Sequence, residues 1–274
     1  MRPGCTRKSA NIFGALFFAL ILNATECMAE GQQSATFAAE IGVSALRFDY
    51  AEYQDNGTLL DRELGGIPGV SLRFTQRISQ WEWEEDASYH FGRVDYTGQT
   101  NTGVPYNTRT DEEVMDAAVR VGRWIGGWAM PYAGLGYRRW DRDILPGSIN
   151  GLFESYRWKY AWLGAKFITL PREAMALALD IGWIKPIDPV LYVDFRGTYS
   201  VEPRLKPESL DGLRLMLTAR MALPEKTVLV LEPYFEYWRL GRSPVVSAGG
   251  VSVYEPASKT RDIGLNLRVG WEFQ

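Results

Sequence analysis

Cysteine and histidine are almost missing from the 274 residues: two Cys, at 5 and 27, and one His, at 90. So small a set excludes a His/Cys metal centre and a disulfide-stapled scaffold. There is no basic excess either. Lys and Arg number 30 against 33 Asp and Glu, a formal charge of −3, so no electrostatic footprint for nucleic acid exists. Long apolar runs are missing as well. Past residue 29 no uncharged stretch reaches the roughly 18 residues that a spanning helix needs; the longest, 124–137, is broken by Gly126, Gly127 and Pro131. No EF-hand spacing, phosphate loop, zinc spacing or nucleophile elbow occurs. Neither a metal nor a cofactor is expected. What is present is a chain 46% apolar and rich in aromatics, with 10 Trp, 14 Tyr and 12 Phe. Such a composition folds rather than staying disordered.

The first 29 residues read as an export signal. Arg2, Arg7 and Lys8 form a basic start, Ile12–Leu22 an uncharged apolar run, and Cys27-Met28-Ala29 a small-x-small cleavage site. The run is too short to span a bilayer as a helix. Glu26 before Cys27 argues against a lipoprotein, whose signal needs a small residue there. The domain expectation is therefore a signal peptide over 1–29 and a single domain over 30–274, whose residues include no Cys.

That domain alternates with a period of two. Met175, Leu177, Leu179, Ile181 and Trp183 interleave with Ala176, Ala178, Asp180 and Gly182; Leu213, Leu215 and Leu217 interleave with Arg214, Met216 and Thr218. Leu265, Leu267, Val269, Trp271 and Phe273 interleave with Asn266, Arg268, Gly270 and Glu272. Successive side chains of a strand point to opposite faces, so each segment has one apolar and one polar or small face. Ten segments of this kind are expected, near 38–50, 67–78, 81–95, 112–124, 128–140, 153–168, 174–185, 209–222, 227–240 and 260–273. Short links at Ser79-Gln80, Gly126-Gly127, Pro171-Arg172 and Pro224-Glu225 alternate with long polar ones near 51–66, 96–111, 141–152, 186–208 and 241–259. The predicted fold class is all-β: a transmembrane up-and-down antiparallel β-barrel of ten strands.

The faces separate a soluble barrel from a membrane one. A narrow interior has no room for bulky apolar groups from every strand, so the apolar face is expected against lipid and the charges inside. The predicted lumen network is Arg73, Asp86, His90, Asp116, Arg120, Asp180, Arg214, Arg220, Glu232, Glu236, Arg268 and Glu272, joined by Arg47, Asp49, Arg138, Arg157 and Lys159. Such a set either lines a narrow pore or fills the lumen with ion pairs; ten strands lie nearer the filled end, and the plug is the expectation. Aromatic girdles are expected from Trp81, Trp83, Trp124, Trp128, Trp271 and Phe273 at the short-turn end. At the other end they are expected from Tyr137, Trp140, Tyr156, Trp158 and Tyr237, with Trp183 also on the girdle. Pro233, inside the ninth segment, suggests a bulge, and Glu85 falls on the apolar parity of the third.

The last segment, Leu265–Phe273, resembles the C-terminal signature of bacterial outer-membrane barrels, although Gln274 follows the aromatic. Pro131-Tyr-Ala-Gly-Leu-Gly-Tyr-Arg138 and Tyr156-Arg-Trp-Lys-Tyr-Ala-Trp162 are similar to segments of the ten-stranded omptin-like barrels, a group that includes the Protochlamydia-type outer membrane proteins. The resemblance implies a Gram-negative outer-membrane location. It implies outer-membrane lipid, lipopolysaccharide and the barrel assembly machinery as partners. It also implies a protease, but omptins place an Asp two residues before their His, and Ser88 stands there before His90. Ser88 and His90 share a face in the reverse of the order found in lipid A deacylases, and the simpler reading is an interior His held by a partner such as Asp86. Asp55-Asn-Gly57, Asp111-Glu-Glu113 and Asp141-Arg-Asp143 read as solvated loop acids rather than divalent-ion sites. The expected role is an integral surface protein presenting five loops, without enzymatic activity. A narrow channel and an outer-membrane hydrolase are the alternatives.

Overall fold

The structure, a computed structural model, describes residues 35–100, 103–147, 150–169 and 175–273. The expected signal peptide, the turn at Pro171-Arg172 and Gln274 lie outside the described residues. Ten long strands make the wall: β1 (Ala35–Tyr53), β2 (Leu59–Ile78), β3 (Trp81–Gln99), β4 (Pro105–Arg123), β5 (Ala129–Ile144), β6 (Leu152–Ile168), β7 (Met175–Asp194), β8 (Gly212–Ala222), β9 (Thr227–Gly241) and β10 (Ala257–Phe273). Each pairs antiparallel with its sequence neighbours, and β1 pairs with both β2 and β10, so the sheet closes with no free edge. Each of the ten expected segments falls on one of these strands.

Side-chain parity orders the wall. In β1 the even residues Glu40, Ser44, Leu46, Phe48 and Tyr50 are buried inside, while Ile41 and Val43 are 53% and 61% exposed on the outside. Leu135, Leu163, Leu217 and Leu265 continue the outward apolar band. Among the described residues no helix is long and apolar enough to cross a membrane.

Strands β1–β5 and β7 run well beyond their expected ends toward the long-loop side. β1 and β2 are joined through 54–58 and β3 and β4 through 100–104, so most of 51–66 and 96–111 is wall rather than loop. The same holds for 141–144 and 186–194. Past the apolar band the outer face becomes charged while Val94, Tyr96 and Leu191 are buried inside, which breaks the apolar-outside alternation and leaves the ladder intact. Asp111–Glu113 and Asp141–Asp143 are accordingly strand residues; Asp111 pairs with Arg93, Asp141 with Arg139 and Asp143 with Arg196.

Pro233 causes no bulge. β9 keeps one register along β8 and along β10, with Pro233 opposite Leu265, and the ladder to β8 is interrupted only between Met216 and Ala219. A residue without an N–H cannot donate on both sides, and here the lost bond falls on the β8 side. The extra residue instead sits in β7, where the pairing with β6 shifts between Arg157 and Lys159 and Asp188 takes a positive φ of 47°. Two inward glycines make room for rings: a Cβ at Gly136 or Gly264 would fall inside the side chain of Tyr160 or Tyr234.

Candidate functional site

Among the described residues the buried charges are stacked inside the barrel in three layers. The layer nearest the short turns is a mesh of buried ion pairs. Arg73 reaches Asp86 at 2.7 Å, Glu232 at 2.5 Å and Glu84 at 3.1 Å. Arg268 reaches Glu40 at 2.9 Å and Glu232 at 3.0 Å, while Arg120 bridges Glu84 and Asp180. Lys166 holds Glu82 and Glu84, and Arg220 holds Glu40 and Glu272. Arg120 also lies over the rings of Tyr132 and Trp162, at 4.7 and 4.6 Å. Five cations thus face seven carboxyls, and partners up to 228 residues apart in sequence are brought together by closure of the sheet.

The middle layer holds Arg138, which binds Glu236 at 3.0 Å and Asp262 at 2.7 Å, and Arg214, which binds Glu236 at 3.1 Å. His90 is here, 2% exposed, with Nε2 at 2.8 Å from Ser44 Oγ of β1. The expected partner Asp86 is engaged by Arg73 instead, because its place one layer down puts it closer to that guanidinium. A cavity of about 30 Å³ lies between these residues, Ser88 and Asn266. Ser71 Oγ, Asp262 Oδ1 and Asn266 Oδ1 reach no protein partner. The space is polar and large enough for a water or two, each of which needs about 10–15 Å³.

The layer nearest the long loops is different. Arg142 reaches Glu52 at 2.7 Å and Glu63 and Glu154 at 3.0 Å. It lies over Tyr50 and Trp140. Around it are three more buried carboxyls: Asp61 takes a bond from Tyr96, Glu112 from Trp140 Nε1 at 2.5 Å and Glu255 from Tyr156 at 2.5 Å. One guanidinium therefore serves six carboxyl groups. Glu255 belongs to the segment linking β9 to β10, beyond the strands. Burial, then the neighbouring Glu52 and Glu154, push its carboxyl well above the usual carboxylate range.

All twelve residues of the predicted lumen network are buried or half-buried on the inner face, with Glu272 at the short-turn rim. Arg47, Asp49, Arg157 and Lys159 point outward, since the inner face of β1 and β6 is carried by the even residues throughout. Glu40, Glu52, Asp61, Glu63, Glu84, Glu112, Arg142, Glu154, Lys166 and Asp262 were missed, although each has the inward parity of its strand. In the predicted girdle, Trp81, Trp83, Trp128, Trp183, Trp271 and Phe273 are exposed on the outer face, and Tyr137 and Tyr237 share its parity. Trp124, Trp140, Tyr156 and Trp158 are buried inside instead. Trp124 donates to Glu82, Trp140 to Glu112 and Tyr156 to Glu255, and Trp158 lies beneath Arg138. These rings satisfy lumen acids and bases rather than a membrane interface.

Above the apolar band, the outer wall pairs acids with bases on β1–β2 and β3–β4 but sets bases against bases on β5–β6 and β9–β10. Arg139 stands directly opposite Arg157, and Arg239 directly opposite Lys259. Among the described residues Arg47, Lys159 and Arg261 are exposed with no carboxylate in ion-pair range. Like charges set directly across a ladder repel, so this band of facing bases costs stability in isolation.

The fold is similar to that of the outer membrane protease OmpT of Escherichia coli, with a TM-score of 0.58 at 8% identity over 91% of this chain and 100% of that one. Neisserial surface protein A matches with a TM-score of 0.39 at 10% identity, over 88% of this chain and 99% of that one. OprG of Pseudomonas aeruginosa matches at 0.34 and 10%, over 89% and 98%. At 8% identity the likeness to OmpT is one of fold: a ten-stranded barrel of the outer-membrane type. No protein-family model and no curated protein matches the chain.

Proposed function

We propose that the chain is an integral outer-membrane barrel with a closed lumen, acting through its outer wall and loops and not as an enzyme. The observation that carries this reading is the inverted distribution of polarity. Leu135, 62% exposed, and its neighbours face outward, while Arg120 and Arg268 are 2% and 1% exposed inside. In water this is the costly arrangement; in a bilayer it is the stable one, because a closed barrel leaves no backbone group unpaired in hydrocarbon. A non-catalytic role is supported by the only His, which lies mid-lumen against Ser44, away from the rim. The band of facing bases on the outer wall suits the phosphates of lipopolysaccharide, and the strand Leu265–Phe273 suits capture by the assembly machinery. A narrow channel is the second reading, favoured by the hydratable cavity around His90.

Purified protein in planar bilayers separates the two. The plug reading expects little steady conductance. Open-channel steps that vanish in Arg120→Ala or Glu236→Ala would replace it with the channel.

A further inference from the structure

We propose that segment 242–256, which links β9 to β10, is a proton-operated lid over the acidic mouth of the barrel, closed while Glu255 is protonated and lifted when it ionises. This goes beyond the reading above and holds whether or not the lumen below conducts.

The segment is built as a strap. Val246–Ala248 and Val251–Val253 pair as a short hairpin, and Val246 and Val253 pack on the aromatic cluster inside the barrel. Its two ends are pinned together, Ser243 N to Glu255 O at 2.9 Å and Glu255 N to Ser243 Oγ at 2.8 Å. Outside, Arg242 lies over Tyr254 at 4.1 Å and reaches Asp55 at 3.3 Å. Inside, the hydroxyls of Tyr156 and Tyr50 lie 2.5 and 3.4 Å from Glu255 Oε1.

The surroundings of Glu255 decide its charge. β1 presents Tyr50 and Glu52, and β2 presents Asp61 and Glu63. β3 adds Tyr96, β4 adds Glu112, and β6 adds Glu154 and Tyr156. The one cation, Arg142 of β5, is already shared by Glu52, Glu63 and Glu154. Among the described residues Glu255 has no ion-pair partner, so its ionised form sits buried among like charges, opposed by the hydroxyl that Tyr156 donates to it and by the already shared Arg142. The sign follows. A carboxyl raised in the closed form favours that form at low pH, and closure weakens as pH rises toward the raised value. Lifting the strap leaves the ion pairs of the deeper layers intact and uncovers a mouth that attracts cations.

The test is the reactivity of a thiol under the strap, in full-length protein with Cys5 and Cys27 replaced by Ser and refolded in detergent. The maleimide labelling rate of Val253→Cys is divided by that of exposed Ser252→Cys, which cancels the titration of the thiol itself. Between pH 5 and 9 the ratio is expected to climb, by up to about tenfold per pH unit in the titrating range, and to stay at its low-pH value in Glu255→Gln. A flat ratio, or an unchanged climb in Glu255→Gln, overturns the lid. Hydrogen exchange of amides 244–254 in the unsubstituted chain, corrected for intrinsic rates, needs no variant. Protection is expected to fall with pH, and constant protection overturns the proposal equally.

Discussion

The two ends of the lumen solve opposite problems with the same residue types. Toward the short turns, Arg73, Arg120, Arg268, Lys166 and Arg220 interleave with seven carboxyls, and every one of these cations has at least two carboxyl partners. Toward the long loops Arg142 stands alone among six. Desolvating a charge costs several kcal/mol, recovered only where opposite charges and hydrogen bonds surround it. The first region is therefore a structural plug of mutually compensated ion pairs. The second leaves Asp61, Glu112 and Glu255 with no cation of their own among the described residues. The lesson is that buried acids in one protein are not one class: their number of cationic partners decides whether removing one harms or helps.

The sharpest way to break that contrast is one substitution in each region. Glu232→Gln leaves the guanidiniums of Arg73 and Arg268 under-compensated and is expected to cost about 3–5 kcal/mol in urea unfolding from detergent. Glu63→Gln relieves crowding around Arg142 and is expected to be neutral or mildly stabilising at pH 7, by no more than about 1 kcal/mol. Equal losses at both sites would mean that the cation count does not govern these acids.

The outer face gives the next largest effect. Leu177→Arg or Leu215→Arg on the apolar band is expected to cost about 2–4 kcal/mol near the bilayer midplane. The readout is the loss of the heat-modifiable band in detergent gels, which reports the folded barrel. Insertion as efficient as that of the unsubstituted chain would place the leucines away from hydrocarbon.

Much of this was legible in the sequence, and the failures have physical causes. The ten strands could be placed because a wall with lipid on one side and charge on the other enforces strict alternation, as in Leu213–Met221. The strand extensions were missed because, beyond the apolar band, Arg93, Asp95, Arg109 and Asp111 make the outer face charged while Val94, Tyr96 and Tyr106 are buried on the inner one, so the apolar-outside pattern no longer holds. Trp140, Tyr156 and Trp158 were misplaced by position along the chain when parity was the better guide. They share the inward parity of Arg138 and Tyr160. The partners were out of reach altogether: that Arg268 meets Glu40, and that Glu255 folds back over Arg142, follows from closure and loop path, which no local pattern encodes.

The smallest effect comes from the band of facing bases, which contrasts with the lumen because its charges are exposed. Arg139 and Arg157 face each other, with Arg139 also held by Asp141 and Arg157 lying over Tyr192. Removing both in Arg139→Ser/Arg157→Ser deletes a repulsion along with two exposed contacts, so stability in detergent alone is expected to change by less than about 0.5 kcal/mol. If phosphate groups of lipopolysaccharide neutralise the band, added lipopolysaccharide raises the melting temperature of the unsubstituted protein, and the double variant loses part of that rise. The loss shrinks with salt, since exposed pairs are screened over about 8 Å at physiological ionic strength. An identical rise in both proteins would show that the lipid stabilises the barrel through its apolar band alone, and the band of like charges would then need a different counter-ion.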